Sequence, residues 1–318
     1  METADIYNKF PDNEIEFDAM FSTEEYCVNY LFKQRWPDGF KCSKCGKTHY
    51  WKSNRDLFIC TCCEHQHSIT AGTILHQTHK PLKYWFKAIW WFTSTKSGIS
   101  ATNLSKLLGI SYPTAWTWLQ KLKRCTVNPE REPLSGTVEV DEFYLGGKMN
   151  GKQGRGSENK HKVVVAVERR ESEDSDIDLS HLMGRARISI IPDCSAENLT
   201  PFIVNNISFG STLITDKWTG YTEELNKNYT HESYKFSENK SVLDHVHRIA
   251  SLVKRWFNGT LQGSIKPQHL QEYMDEYIFR FNRRNSKSIG FKFFRLIQFA
   301  TTAKPITYNV IARKLENT

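Results

Sequence analysis

Two cysteine pairs at identical spacing, Cys42-Ser-Lys-Cys45 and Cys60-Thr-Cys62-Cys63, constrain this chain more than any other feature. Four thiolates at such spacing close a tetrahedron around Zn2+, and the short strand-like segment HYWKSNRDLFI between them cannot bury enough apolar surface to fold alone. The pattern predicts a zinc ribbon over 37–78 with Cys42, Cys45, Cys60 and Cys63 as ligands. Cys62, His65 or His67 could replace one ligand, although Cys60 with Cys63 repeats the first pair better. Metal-spaced cysteines fit a reducing compartment, and Cys27, Cys125 and Cys194 read as isolated packing thiols.

Residues 1–36 read as an N-terminal helical segment, with Ser22-Thr23 before Glu24-Glu25 as a start signal and Pro37-Asp38-Gly39 as the stop. Residues 79–127 read as a helical region. PLKYWFKAIWWFT carries aromatic residues on several faces and is expected to be buried. The segments SATNLSKLLGI and YPTAWTWLQKLKR, joined through Gly109-Ile110-Ser111, form a predicted helix-turn-helix. In that reading Ser111, Tyr112 and Thr114 approach base edges, and Lys121, Lys123 and Arg124 meet phosphates. A helical hairpin that only packs is the plainer alternative. NPEREP makes 128–135 a linker.

The remainder, 136–318, reads as one domain. In GTVEVDEFYLGG, residues 136–147, the apolar positions Val138, Val140 and Phe143 are assigned to the core and Glu139 and Asp141 to the opposite face. Asp141 is then a carboxylate on a rigid strand, where a metal ligand is best held. HKVVVAVE, RISII and STLITD are further strands, and Asp216 stands at the carboxyl end of the last, where open sheets present site residues. The loop MNGKQGRGSENK suits a DNA backbone or is a plain connection, and ESEDSDIDLS reads as a solvated excursion. A helix over 238–258 buries Val242, Val246, Ile249, Val253 and Trp256, and a neighbouring stripe carries Asp244, His247, Ser251, Lys254 and Asn258. A final helix is expected over 267–284.

Lys and Arg number 43 against 35 Asp and Glu, a net charge of +8 that favours a polyanionic partner. The acidic N-terminus lacks a signal-peptide pattern and no apolar run is long enough to span a bilayer, so a cytoplasmic, nucleoid-associated protein with no membrane partner is expected.

Seven segments in order, YLFKQRWPDGFKCSKCG, SITAGTILHQT with PLKYWFKAI, LLGISYPTAW, VEVDEFYLGG, TDKWTGY, HRIASLVKRWFNGT and HLQEYMDEYIFRFNRR, resemble the zinc-ribbon insertion-sequence transposases related to Merlin elements. The resemblance implies an α+β multidomain chain: zinc ribbon and helix-turn-helix, then a ribonuclease H-like mixed α/β catalytic domain of the DDE type. It makes Asp141 and Asp216 the first two metal-binding acids and Lys254 the lysine that follows the third position. That third position is His247 here, a departure from the glutamate of many relatives; it acts as a ligand or in proton transfer, with Asp244 a possible oxygen donor. Mg2+ or Mn2+ in the catalytic site, structural Zn2+, DNA as partner and a homo-oligomer on DNA follow from the same resemblance. Arg248, Lys254 and Arg255 would extend a DNA-binding surface. The implied activity is cleavage at the element's terminal inverted repeats and transfer of the 3′-hydroxyl to target DNA. Its rivals are an inactive or domesticated DNA-binding regulator and a structure-specific nuclease on the same fold.

Overall fold

The computed structural model describes residues 10–146, 160–170, 182–235, 242–261 and 265–313. The expected loop over 149–160, apart from Lys160, and the acidic excursion lie outside them. The chain divides into two compact units, one formed by 1–128 with 285–318 and the other by 129–284.

The first unit opens with helices α1 (Glu14–Met20) and α2 (Glu24–Arg35). The Thr23 side chain accepts the Tyr26 N–H at the start of α2, and acids in its first turn and bases in its last oppose the helix dipole. Strands β1 (Tyr50–Lys52), β2 (Leu57–Cys60) and β3 (Gln66–Ser68) make the antiparallel ribbon sheet. Its aromatic face, Phe40, Tyr50 and Phe58, packs on Phe32 and Trp36. Arg35 ties the departing chain down by donating to the carbonyls of Ser68, Ile69 and Ala71. The apolar α3 (Leu82–Ser94) begins after Pro81 and is capped from outside: the Glu24 carboxylate accepts the N–H groups of Leu82 and Lys83 at 2.6 and 3.0 Å. Helices α4 (Ala101–Leu108) and α5 (Tyr112–Arg124) follow, and Gly109 ends α4 at φ 61°, a conformation glycine adopts without strain.

The second unit is a five-stranded sheet. Strands β4 (Thr137–Leu145), β5 (His161–Arg169) and β6 (Met183–Ile191) form an antiparallel meander, α6 (Ala196–Asn206) follows, and β7 (Thr212–Asp216) and β8 (Thr230–Tyr234) run parallel to β4. The strand order is β6-β5-β4-β7-β8. Helices α7 (Asp244–Thr260) and α8 (Leu270–Asn282) complete it. One face packs under α7 and α8 through Phe143, Leu145, Val163, Val165 and Ile214; the other packs under α6 through Val138, Val140, Val164, Ala166 and Leu213. The exposed edge of β6 is closed by side-chain amides of α8. Gln271 accepts from Ile190 N and donates to Ile188 O, and Asn282 does the same for Ala186 N and O.

Several expectations change. Phe143 lies on the face of Glu139 and Asp141, not with Val138 and Val140, because the alternation along β4 is strict and both faces are covered. Residues 129–135 are part of the second unit rather than a linker: Leu134 is fully buried, its N–H donates to Asn206 O and its carbonyl accepts from Ser208 N. The domain expected to run to 318 stops at 284. Two helices not anticipated from sequence, α9 (Ile289–Thr302) and α10 (Tyr308–Arg313), belong to the first unit, where Phe293 sits fully buried among Phe17, Phe21, Tyr30, Phe86 and Trp90. Among the described residues no helix is long and apolar enough to cross a membrane.

Candidate active site and zinc centre

The four knuckle cysteines converge. The Sγ atoms of Cys42, Cys45, Cys60 and Cys63 all lie within 4.8 Å of one another, with Cys42 to Cys63 at 3.6 Å and Cys45 to Cys60 at 3.5 Å. A tetrahedron with Zn–S bonds of about 2.3 Å has S···S edges of about 3.8 Å, so the set fits zinc without rearrangement. The knuckles are backbone twins. Gly46 N donates to Cys42 O and Glu64 N to Cys60 O, with φ of 72° and 55° at these two positions. Of the alternative ligands, Cys62 is exposed and outside the group, while buried His67 places Nε2 3.4 Å from Cys42 Sγ and supports a ligand instead of replacing one. Cys27, Cys125 and Cys194 are buried single thiols, as expected; burial pushes Cys27 up to about 12.

In the second unit, parallel pairing of β4 with β7 sets Glu139 opposite Ile214. The paired register ends there; Asp141 and Asp216 each stand two residues beyond it along their strands. Ile214 shares the face of Phe143, so Asp216, two residues on, points to the same side as Asp141. Asp141 Oδ1 accepts the Glu142 N–H at 2.8 Å and its Oδ2 accepts from His247 Nε2 at 3.1 Å; Asp216 Oδ1 accepts the Trp218 N–H at 3.0 Å. His247 and Lys254 stand two turns apart on α7 and, with Asp141, Phe143, Lys160 and Ser251, line an open hollow of about 750 Å³. The Lys254 ammonium lies 5.4 Å from the centre of the Phe143 ring. Asp216 does not line that hollow, and Asp244 does not either, although its charge reaches His247. The bond to Asp141 raises the affinity of His247 for a proton against the opposing effect of burial. Burial and the like charge of Lys160 lower that of Lys254. Among the described residues the four cysteines are the only cluster of three or more His, Cys, Asp or Glu ligand atoms within 4.8 Å of one another.

The candidate DNA-contacting residues divide. Ser111 and Tyr112 are exposed and Thr114 half-buried at the start of α5, and Arg248, Lys254 and Arg255 are exposed on α7. Lys123 is 3% exposed and reaches no surface, while half-buried Lys121 donates to Ile74 O at 3.2 Å and stands on the packed side of α5, not on its outer face. The cause is helical phase: these lysines follow Trp118, Leu119 and Leu122 onto the packed side. Arg124 is half-buried.

Residues 133–282 match the ISXO2-like transposase domain, within a residue or a few of the bounds of the second unit, and residues 22–66 match the transposase zinc-ribbon domain. The chain belongs to the zinc-ribbon insertion-sequence transposases. Over 137 residues it is also 28% identical to an uncharacterized protein in transposable element ISH50 of Halobacterium salinarum, a match over 42% of this chain. The chain spans less than half, 46%, of that relative's length.

The transposase domain holds a feature that sequence reading missed. Glu139, two residues before Asp141, is fully buried and joins β4 to the first turn of α7. Its Oε2 accepts the N–H groups of His245 and Val246 at 3.0 and 3.1 Å, and its Oε1 accepts from His245 Nδ1 and Arg169 Nε, both at 2.5 Å. Arg169 also donates to Val242 O. The carboxylate therefore caps the helix that carries His247 and sets its height against Asp141. Burial alone would raise its pKa; the bonds from His245 and Arg169 more than offset this and hold it below the ordinary carboxylate range. A period-two strand with two acids offers no local sign of which is buried. The arginine and histidine that mark Glu139 lie 30 and 106 positions away.

Glu139→Gln leaves Arg169 and His245 without their buried counter-charge and should cost about 3–5 kcal/mol of unfolding free energy, the range for removing one partner of a buried ion pair. Because the folded-state pKa is depressed, this stabilisation is present above the unfolded carboxyl value of about 4.3 and is lost as pH falls through the folded value. Denaturant titrations at several pH values check it: the wild-type minus variant difference should shrink in acid. A difference that stays constant from neutral to acid pH excludes the assignment.

Proposed function

We propose that this transposase binds the terminal inverted repeats of its element, hydrolyses a phosphodiester at each end, and transfers the freed 3′-hydroxyl to target DNA. The observation that carries the reading is that Asp141 and Asp216 stand on adjacent parallel strands, with Asp141 bonded to His247 on the helix that also carries Lys254. An antiparallel meander followed by two strands parallel to its first supports a ribonuclease H-like catalytic domain.

Neighbouring strands lie about 4.8 Å apart, a spacing at which two carboxylates can share one hard cation; Asp141 and Asp216 would hold Mg2+ or Mn2+, with His247 beside them. The bound ion would lower the pKa of an attacking water and neutralise charge on the phosphoryl group. His247 accepts or donates the proton at Nε2 as its contact with Asp141 is exchanged for one to the reacting oxygens. Lys254, with Lys160 across the hollow, meets the non-bridging oxygens of the phosphate beside the scissile bond. Arg248 and Arg255 extend the basic face of α7. Helices α4 and α5 act as the helix-turn-helix, with Ser111, Tyr112 and Thr114 toward base edges. Two ends must be cut and joined together, so the working species is a homo-oligomer on DNA.

The test is purified full-length protein with Mg2+ or Mn2+, end-labelled duplexes carrying a terminal inverted repeat and flanking DNA, and a target plasmid. Cleavage at the repeat boundary followed by labelled plasmid is the expected result. Cleavage with no joined product would leave a nuclease, and end binding without cleavage in either metal would leave a regulator; each result overturns the proposal.

A further inference from the structure

The first unit contains a second basic hollow, of about 500 Å³, beside the start of α5. Three stretches distant in sequence build it: the turn after the ribbon with His76, His79 and Lys80; α5 with Thr114, Thr117 and Lys121; and Pro305–Tyr308, which leads from α9 into the start of α10. No aspartate or glutamate lines it. Its wall includes Trp85 and Trp118, stacked at 3.9 Å, and Trp85 is fixed by a 2.7 Å bond from its indole N–H to Thr78 Oγ1. Lys121 is the informative residue. Half-buried, it sets its ammonium on a backbone carbonyl, Ile74 O, and 6.0 Å from the centre of the Trp85 ring, and burial lowers its proton affinity. A cation drawn into a partly desolvated place whose lining offers no carboxylate is costly unless an anion joins it.

The place has a further property. From the exposed Ser111, Tyr112 and Pro113 at the head of α5, Thr114 and Thr117 follow within about two turns and Lys121 stands about two to three turns on. A helix whose first turn enters a groove passes the flanking phosphates at about that distance, and phosphate contacts fix its register. We propose that this hollow seats a backbone phosphate of the DNA strand flanking α5, held by Lys121 and Lys80 with the hydroxyls of Thr114 and Thr117 and the imidazoles of His76 and His79. The inference rests on the reading of α5 as a DNA-contacting helix and adds a phosphate seat with one wall formed by the C-terminal stretch. It gives that stretch a reason to return to the first unit.

The experiment is fluorescence anisotropy of the full chain against two duplexes of equal length, one with the terminal inverted repeat and one scrambled, over about 50 to 200 mM salt. No catalytic metal is added, so the outcome is independent of cleavage. Lys80→Gln/Lys121→Gln should weaken both duplexes several-fold and by the same factor. The log–log salt slope should become shallower by about 0.9 for each phosphate that the variant no longer neutralises. Lys121→Arg should retain most of the affinity. The exposed single variant Lys80→Gln, with an unchanged melting curve, guards against a loss of folding. Wild-type affinity and slope in the folded double variant overturn the phosphate seat, as does a loss confined to the repeat duplex, which would mean base reading. A wild-type chain that binds neither duplex overturns both the seat and the reading of α5. Binding as expected without cleavage in the preceding assay overturns only the catalytic proposal.

Discussion

Asp141→Ala and Asp216→Ala are each expected to lower metal-dependent cleavage of element-end DNA by at least about a thousandfold while leaving end binding within a few-fold of wild type. Loss of a carboxylate that holds a catalytic cation removes several kcal/mol of transition-state stabilisation, and each 1.36 kcal/mol is tenfold in rate. The two positions test the same claim from different elements, since Asp141 is on β4 and Asp216 ends β7. They should also fail non-additively, with the double variant no worse than either single one, because both act on one centre. His247→Ala is expected to lose less and to shift the pH–rate profile, as its role is at the proton. Binding should survive because neither aspartate belongs to the unit that carries α5. Single-turnover cleavage of labelled duplex measures the rates, and anisotropy the binding. Near wild-type cleavage by either alanine variant removes the site.

Removing zinc should have the largest effect on stability. Structural zinc contributes apparent binding free energies of about 10–16 kcal/mol in small Cys-ligated domains, more than the ribbon's apolar interior can replace. That interior is small: buried Phe40, Phe58 and Ile59 serve a sheet whose strands are three, four and three residues long. Chelation, or Cys60→Ser, is therefore expected to unfold 37–78 and release one zinc per chain. The helical part of the first unit should persist, because Phe17, Phe21, Phe86, Trp90 and Phe293 pack without the ribbon. Metal analysis gives the stoichiometry, and hydrogen exchange locates the unfolding. If Cys60 and Leu57 amides stay protected after complete chelation, the metal is not what holds the ribbon.

The sequence alone determined those features whose partners are close along the chain. The zinc set was readable because each knuckle supplies two ligands within four residues and the β-hairpin returns the second to the first. Helix α7 was readable over most of its length because Val246, Ile249 and Val253 repeat at helical spacing, and the same periodicity put His247 and Lys254 on one stripe. Strand character around Asp141 and Asp216 was equally local. Tertiary structure decided which strands are neighbours, and therefore that the strands bearing Asp141 and Asp216 run side by side while Asp141 meets His247 across 106 positions. It also decided that Glu139 is fully buried while Asp141 on the same face is half-buried, that Lys121 and Lys123 fall on the packed side of α5, and that 285–318 rejoins the N-terminal unit. The physical reason is the same throughout: local propensity fixes a residue's direction from its own element, whereas burial, ion pairing and the line-up of two strands depend on which distant surface arrives opposite it.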